Sequence, residues 1–204
     1  MTFETWALFA ATDLVLCFVP GPAVLYVVST ALARGGRSGV AATLGIVAGN
    51  TFYFALSATG IAAVILASGE AFRALQWTGA AYLVWTGLRM LAGRGQHVDA
   101  AESQGAVRRA FLRGFVVQAS NPKALVFFIA LLPQFIEPAH SIAMQILVLW
   151  ITSQTIELAV LSLYVVAAVR ARRLAGAGLA ASLERIGGGF LVAAGARLAF
   201  VRVG

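Results

Sequence analysis

The stretch from Gly39 to Gly69 contains no charged side chain. No other feature constrains the fold so strongly, because a membrane-spanning helix needs only about 20 consecutive, mostly apolar residues. Ala74 to Leu88 is also free of charge, and Pro138 to Val169 carries only Glu157. Charged residues make up 11% of the chain, where soluble domains average about 25%. A soluble fold is therefore excluded, and the chain reads as an integral membrane protein embedded in a lipid bilayer. Backbone groups in lipid must be satisfied within their own segment, so these runs are expected to be helices. No segment shows the alternation over about 10 residues that marks a barrel strand.

Six spans are expected: Thr5–Leu32, Gly39–Ser68, Phe72–Leu91, Phe111–Leu132, Ser141–Val169 and Leu183–Val201. The net charge of +7 comes from 15 basic residues against 8 acidic ones. The basic residues gather in short loops rather than on one amphipathic face, which argues against a nucleic-acid partner. Arg34 and Arg37 fall in the first loop. Arg89, Arg94, Arg108, Arg109 and Arg113 fall around the third, and Arg170, Arg172, Arg173 and Arg185 around the fifth. Those 11 arginines face only Arg73, Arg197 and Arg202 on the other side, so the odd-numbered loops are expected in the cytoplasm. The first apolar run lacks a basic leader and extends past a signal-peptide core, so it reads as a retained span. The single cysteine, Cys17, rules out an intrachain disulfide and reads as a small packing residue. His97 and His140 read as solvated loop residues.

An internal repeat organises the chain. Gly79, Leu83, Val84, Gly87 and Arg89 recur as Gly187, Leu191, Val192, Gly195 and Arg197 at a constant offset of 108, with Tyr82 answered by Phe190. Pro22 and Leu25 recur as Pro122 and Leu125 at an offset of 100. Three helices per half is an odd number, so the halves would insert with opposite topology, an inverted repeat of the kind secondary transporters use. The expected organisation is a first three-helix repeat over 1–92, a cytoplasmic linker over 93–110 and a second three-helix repeat over 111–204. All form one all-α membrane domain with helices 1 and 4 broken at proline.

Polar and helix-breaking groups fall at similar depths in four spans: Pro20-Gly21-Pro22, Asn50-Thr51, Asn121-Pro122-Lys123, and Gln154-Thr155 with Glu157. Each proline removes a donor and clashes one turn back, so spans 1 and 4 should break there. Broken helices at equivalent places in two repeats point to a transport site. Lys123 and Glu157 each cost about 2.5–3.5 kcal/mol or more at a helix centre in lipid, so both are expected to face inward. They could pair with each other or serve a substrate. Lys123 and half-helix N-termini would attract a carboxylate. Asn50, Asn121, Gln154 or Glu157 would hold an ammonium group, and Glu157 or Asp13 would exchange a proton. Ala41, Gly45 and Gly49 form a small-residue face that permits close helix contact, within one chain or in a homodimer. No HExxH, GxSxG, P-loop or metal cluster occurs, so neither an enzyme nor a bound cofactor is expected, and transport energy must come from a gradient.

The Pro-Gly-Pro break, the Gly45-xxx-Gly49 pair, GAAYLVWTG from Gly79 to Gly87, SNPKALVFFIALLPQF from Ser120 to Phe135, and the acid Glu157 together resemble the LysE/RhtB exporters along the whole chain. The resemblance implies a bacterial inner-membrane secondary transporter that exports amino acids or close derivatives, driven by the proton motive force. It implies functional roles for Pro20, Gly21, Pro22, Asn121, Pro122, Lys123 and Glu157. Asp13 stands outside that pattern, and Asn50 stands where the family often carries an acid. A passive pore or a non-transport membrane scaffold are the alternative readings, and saturable counterflow separates an exchanger from a pore.

Overall fold

The computed structural model describes residues 1–58, 77, 81, 84–85, 87–88, 91–92, 104–121, 123–124, 127–137 and 139–200. Most of the expected third span, the linker residues 93–103 with His97, and Pro122 lie outside the described residues. So does most of the span 3 half of the internal repeat. The described residues fold entirely as helices and their connections: α1 (Phe3–Phe18), α2 (Pro22–Arg34), α3 (Gly36–Ala58), α4 (Gln104–Ala119) and α5 (Ile142–Phe200). A π-helical turn (Phe127–Leu131) and a 3-10 turn (Leu132–Phe135) follow α4.

The first span is broken as expected. Its two halves, α1 and α2, meet at a bend of 51°. Val19 ends α1 in an extended conformation at φ −71° and ψ 116°, as the residue before a proline prefers. Pro22 then occupies the first turn of α2, where its missing amide is not needed. The inward stripe of α1 is Phe9, Asp13 and Cys17, spaced four residues apart on one helical face. Phe3, Leu8, Val15 and Phe18 on the same helix are exposed. In a lipid solvent that is the stable arrangement: apolar side chains outward, polar ones inward.

The small-residue face of α3 is used within the chain. A Cβ added to Gly45 would meet the backbone of Phe111 and Phe115, and one added to Gly114 would meet the backbone of Ala42. Helices α3 and α4 therefore pack backbone to backbone, which only glycine at those positions allows. Helix α2 ends at Gly35, whose φ of 92° is the left-handed value that favours glycine.

Two differences from expectation concern helix ends. Helix α4 begins at Gln104, inside the polar stretch read as linker, so Arg108, Arg109 and Arg113 lie on a helix rather than in a loop. The fifth loop is absent: Arg170, Arg172, Arg173 and Arg185 all lie within α5, which runs for 59 residues. Arginine clusters locate the membrane edge, but they do not break a helix. Ala, Leu and Arg are strong helix formers, and each of the two glycines at 176 and 178 costs only about 1 kcal/mol. By length and composition, α3 and the Ile142–Leu174 part of α5 can each cross a membrane, and the bent α1–α2 pair has the length and apolarity of one broken span or a re-entrant loop.

Two apolar clusters hold the helices together. One joins Tyr26, Val27, Ile46, Val117 and Leu161 from α2, α3, α4 and α5. The other is aromatic and joins Phe9, Tyr53, Phe54, Phe127, Phe128 and Phe135. Tyr53 stacks on Phe128 with centroids 5.4 Å apart, and Phe54 meets Phe128 edge-on at 4.9 Å.

A candidate substrate cavity between two helix breaks

A cavity of about 50 Å³ lies between the two clusters, room for a few waters. Ala23 and Val24 of the first cluster and Ala124, Phe127 and Phe128 of the second form its apolar wall. Its polar wall comes from α1 (Asp13, Cys17), from Gly21 at the first break, from Asn50 and Gln118, from Asn121 and Lys123 at the second break, and from Glu157. The breaks in spans 1 and 4, far apart in sequence, thus open onto one space.

The freed backbone groups can be traced one by one. At the end of α1, the Val19 amide donates to the carbonyls of Val15 and Leu16, both at 3.2 Å. The Lys123 ammonium donates to the carbonyls of Leu16 and Val19, the latter at 3.1 Å. The Tyr164 hydroxyl donates to the Phe18 carbonyl at 3.1 Å. At the end of α4, the Tyr53 hydroxyl donates to the Ala119 carbonyl at 2.6 Å. In the π-turn beyond it, Ser57 donates to the Phe128 carbonyl at 3.1 Å. Side chains from α3, α5 and the opposite break satisfy carbonyls left without a helical partner at the two breaks.

The start of α2 is different. No side chain caps its first turn, and its first intrahelical bond is from Leu25 to Gly21 at 3.0 Å. Residues Ala23 and Val24 of that turn line the cavity. A helix N-terminus of this kind carries a partial positive charge and favours anions.

The same cavity carries two acids, Asp13 and Glu157. Asp13 is only 5% exposed, and among the described residues its Oδ2 makes no hydrogen bond, with the equally unpartnered Ser153 hydroxyl in its neighbourhood. Cys17 donates its thiol proton to Glu157 Oε2 at 2.8 Å and lies 4.0 Å from Asp13 Oδ1. A chain of amides completes the wall. Gln118 donates to Asn50, Asn121 donates to Gln118 at 3.0 Å, and the Lys123 amide donates to Asn121 Oδ1 at 3.1 Å.

Of the residues singled out from sequence, Asp13, Gly21, Asn50, Asn121, Lys123 and Glu157 line this cavity. Pro20 and Pro22 shape the break without lining it, and Pro22 is buried. Gln154 points elsewhere: its amide donates to Thr51 Oγ1 at 2.6 Å and to the Val47 carbonyl at 3.2 Å, tying α5 to α3. Among the described residues no ion pair joins Lys123 to Glu157; the ammonium goes to backbone carbonyls instead. Cys17 is not mere packing, since it hydrogen-bonds Glu157 at the cavity. Its spacing of four residues from Asp13 puts both on one helix face, a signal present in the sequence. Gln118 was missed as well, although it lies three residues before Asn121 and so on the same side of a helix.

Away from the cavity, Glu137 gathers the N-terminal end of α1. Its Oε1 accepts from the Thr2 amide at 3.0 Å and the Thr5 hydroxyl at 2.8 Å. The Met1 amine lies 3.5 Å and His140 Nδ1 3.2 Å from Oε2. His140 is 57% exposed, so it is solvated as expected yet sits beside this carboxylate. The Thr2 amide, and after it the Thr5 hydroxyl, hold the Glu137 carboxyl down at about 2.

Comparison with known proteins places the chain. The LysE type translocator family matches residues 14–201. The chain is 33% identical over 207 residues to the homoserine/homoserine lactone efflux protein of Salmonella typhimurium, covering 99% of each. It is 34% identical over 174 residues to an uncharacterized membrane protein of Vibrio cholerae, covering 85% of each. It is 32% identical over 124 residues to the leucine efflux protein of an Enterobacter species, covering 60% of this chain and 59% of that one. No solved structure matches. A translocator rather than an enzyme, this chain belongs to the LysE type translocator family.

Proposed function

We propose that this protein exports an amino acid or a close derivative across the bacterial inner membrane, in exchange for protons. The observation that carries the reading is the polarity of the cavity. The first turn of α2, with no side-chain cap among the described residues, lines it, and so do the carboxyls of Asp13 and Glu157. Those two kinds of group suit a zwitterion: the carboxylate goes to the helix N-terminus and the ammonium to the acids. Asn50, Gln118 and Asn121 offer neutral hydrogen bonds, and Phe127 and Phe128 an apolar wall, which suits an uncharged side chain such as those of the homoserine and leucine that the relatives' names mention.

A buried carboxylate oxygen without a partner is expensive in a low dielectric. Asp13 Oδ2 is such an atom. Its carboxyl would be neutralised in turn by a proton and by the arriving ammonium, and that alternation is the coupling we assign to Asp13 and Glu157. The facing breaks also support a relation between the two halves as inverted repeats within a six-span protein. A return of the chain after α5 would need a bend near Gly176 and Gly178, where the helix is continuous here.

The test is efflux of labelled L-homoserine and L-leucine from cells with and without the expressed protein, with an uncoupler arm. Faster efflux that the uncoupler abolishes, and that Asp13→Asn or Glu157→Gln removes, is expected. Unchanged efflux of both amino acids would overturn the substrate class, and efflux indifferent to the uncoupler would overturn the proton coupling.

A further inference from the structure

Lys123 belongs to one helix break and is spent on the other. Its ammonium donates to the carbonyls of Leu16 and Val19 at the end of α1. Its stem lies against Gly21, where an added Cβ would come within 3.8 Å of Lys123 Cδ. Asn121 directs it there by accepting the Lys123 amide at 3.1 Å. The end of α1 is the negative pole of a half-helix, and Asp13 and Glu157 lie within electrostatic reach of the same ammonium. Unwound carbonyls at a half-helix C-terminus, with carboxylates nearby, are the oxygen donors that coordinate a monovalent cation in transporters with broken helices.

The geometry points to Lys123 as a tethered cation: its ammonium fills a monovalent-cation site built from the end of α1, so the protein needs no free metal ion there. Lys123 is then a positioning residue, not the group that binds the substrate carboxylate. It fastens the two breaks and leaves the first turn of α2, which also lines the cavity, for the substrate. This assignment shares the cavity with the transport reading and rests on it only where substrate binding is the readout.

Chemical rescue tests it. Lys123→Met keeps the stem but ends one atom short of the ammonium, and Lys123→Ala removes the stem as well. Wild type and both variants are purified in detergent, and melting temperature and binding of labelled L-homoserine and L-leucine are measured in choline, sodium, ammonium, propylammonium and tetramethylammonium chlorides. Wild type is expected to behave alike in all five. In choline, both variants should bind roughly tenfold more weakly or worse, the size expected for loss of a charged hydrogen bond. Ammonium should restore the Met variant and propylammonium the Ala variant. Tetramethylammonium, which has the charge but no N–H, should restore neither.

Variants that bind and melt like wild type in choline would overturn the assignment. So would variants that no cation restores, or a wild type that requires sodium. If a variant is too unstable to bind substrate, the melting arm still decides, through selective stabilisation by the matching cation or its absence. If wild type binds neither amino acid, the transport reading fails while the melting arm still judges the cation site.

Discussion

Gly45→Ala sets two effects against each other, and the structure says which wins. Alanine is favoured over glycine in a helix interior by about 1 kcal/mol. The added Cβ, however, would stand 2.8 Å from the Phe115 amide nitrogen and closer still to the Phe111 carbonyl. Both are backbone atoms that no rotamer change can move. Atoms of this kind prefer separations of about 3.5 Å, so α3 and α4 must part by roughly 0.7 Å or more. Overpacking costs typically about 1–3 kcal/mol, and against backbone atoms that cannot turn aside the upper part of that range, about 2–3 kcal/mol, applies, so after the helix gain of about 1 kcal/mol the net change is expected to be destabilising by about 1–2 kcal/mol. For a chain of this size that lowers the melting temperature by about 2–8 °C. The separation should also reach the cavity, because Asn50 on α3 meets Gln118 on α4 five residues further along. Gly189→Ala is the internal control: among the described residues nothing lies within 4 Å of its added Cβ, so it should be neutral or slightly stabilising. Both variants would be followed by thermal unfolding in detergent and by binding of labelled amino acid. If Gly45→Ala melts at or above the wild-type temperature while Gly189→Ala melts below it, the close packing of α3 on α4 is wrong.

Other outcomes follow from the same contacts. Cys17→Ala removes the donor to Glu157 Oε2 and should weaken amino-acid binding by about 1 kcal/mol, roughly fivefold. Cys17→Ser, which can still donate, should stay near wild type, and equal loss in both variants would show that the thiol proton is irrelevant. Gln154→Leu should lower the melting temperature through its lost bonds to Val47 and Thr51 yet leave the affinity for substrate unchanged; a selective loss of affinity would return Gln154 to the site. Glu137 titrates at about 2 in the folded protein against an ordinary 4.5. Because its folded value is depressed, its stabilising contribution is complete above about 4.5 and disappears as pH falls from there toward 2. Protease access to the first residues should therefore rise across that window in wild type, while Glu137→Gln should show raised access already at neutral pH. A flat wild-type profile from pH 5 to 2.5 would refute this role of Glu137 in holding the start of α1.

The sequence alone determined what is local or compositional. Charge-free runs demanded helices in lipid, because backbone groups there have no water to bond. Pro20, Pro22 and the Asn121-Pro122 pair announced the breaks, because a missing amide acts on its own turn and needs no partner to be felt. Glycine spacing on α3 announced a close contact. The residues that resemble the LysE/RhtB exporters led to the family that comparison then showed. Which surfaces meet was decided only by the tertiary structure. Sequence offered Lys123 either Glu157 or a substrate; the fold gave it the carbonyls that the other break had freed. Cys17 and Gln118 line the cavity and Gln154 does not, because a side chain's partner depends on how its helix is rotated against its neighbours. The arginines from Arg170 to Arg185, read from sequence as a loop, lie on a continuous helix, since nothing in that segment interrupts the helical ladder. Local chemistry tells the chain where its backbone must break, and only packing tells it what will satisfy the broken ends.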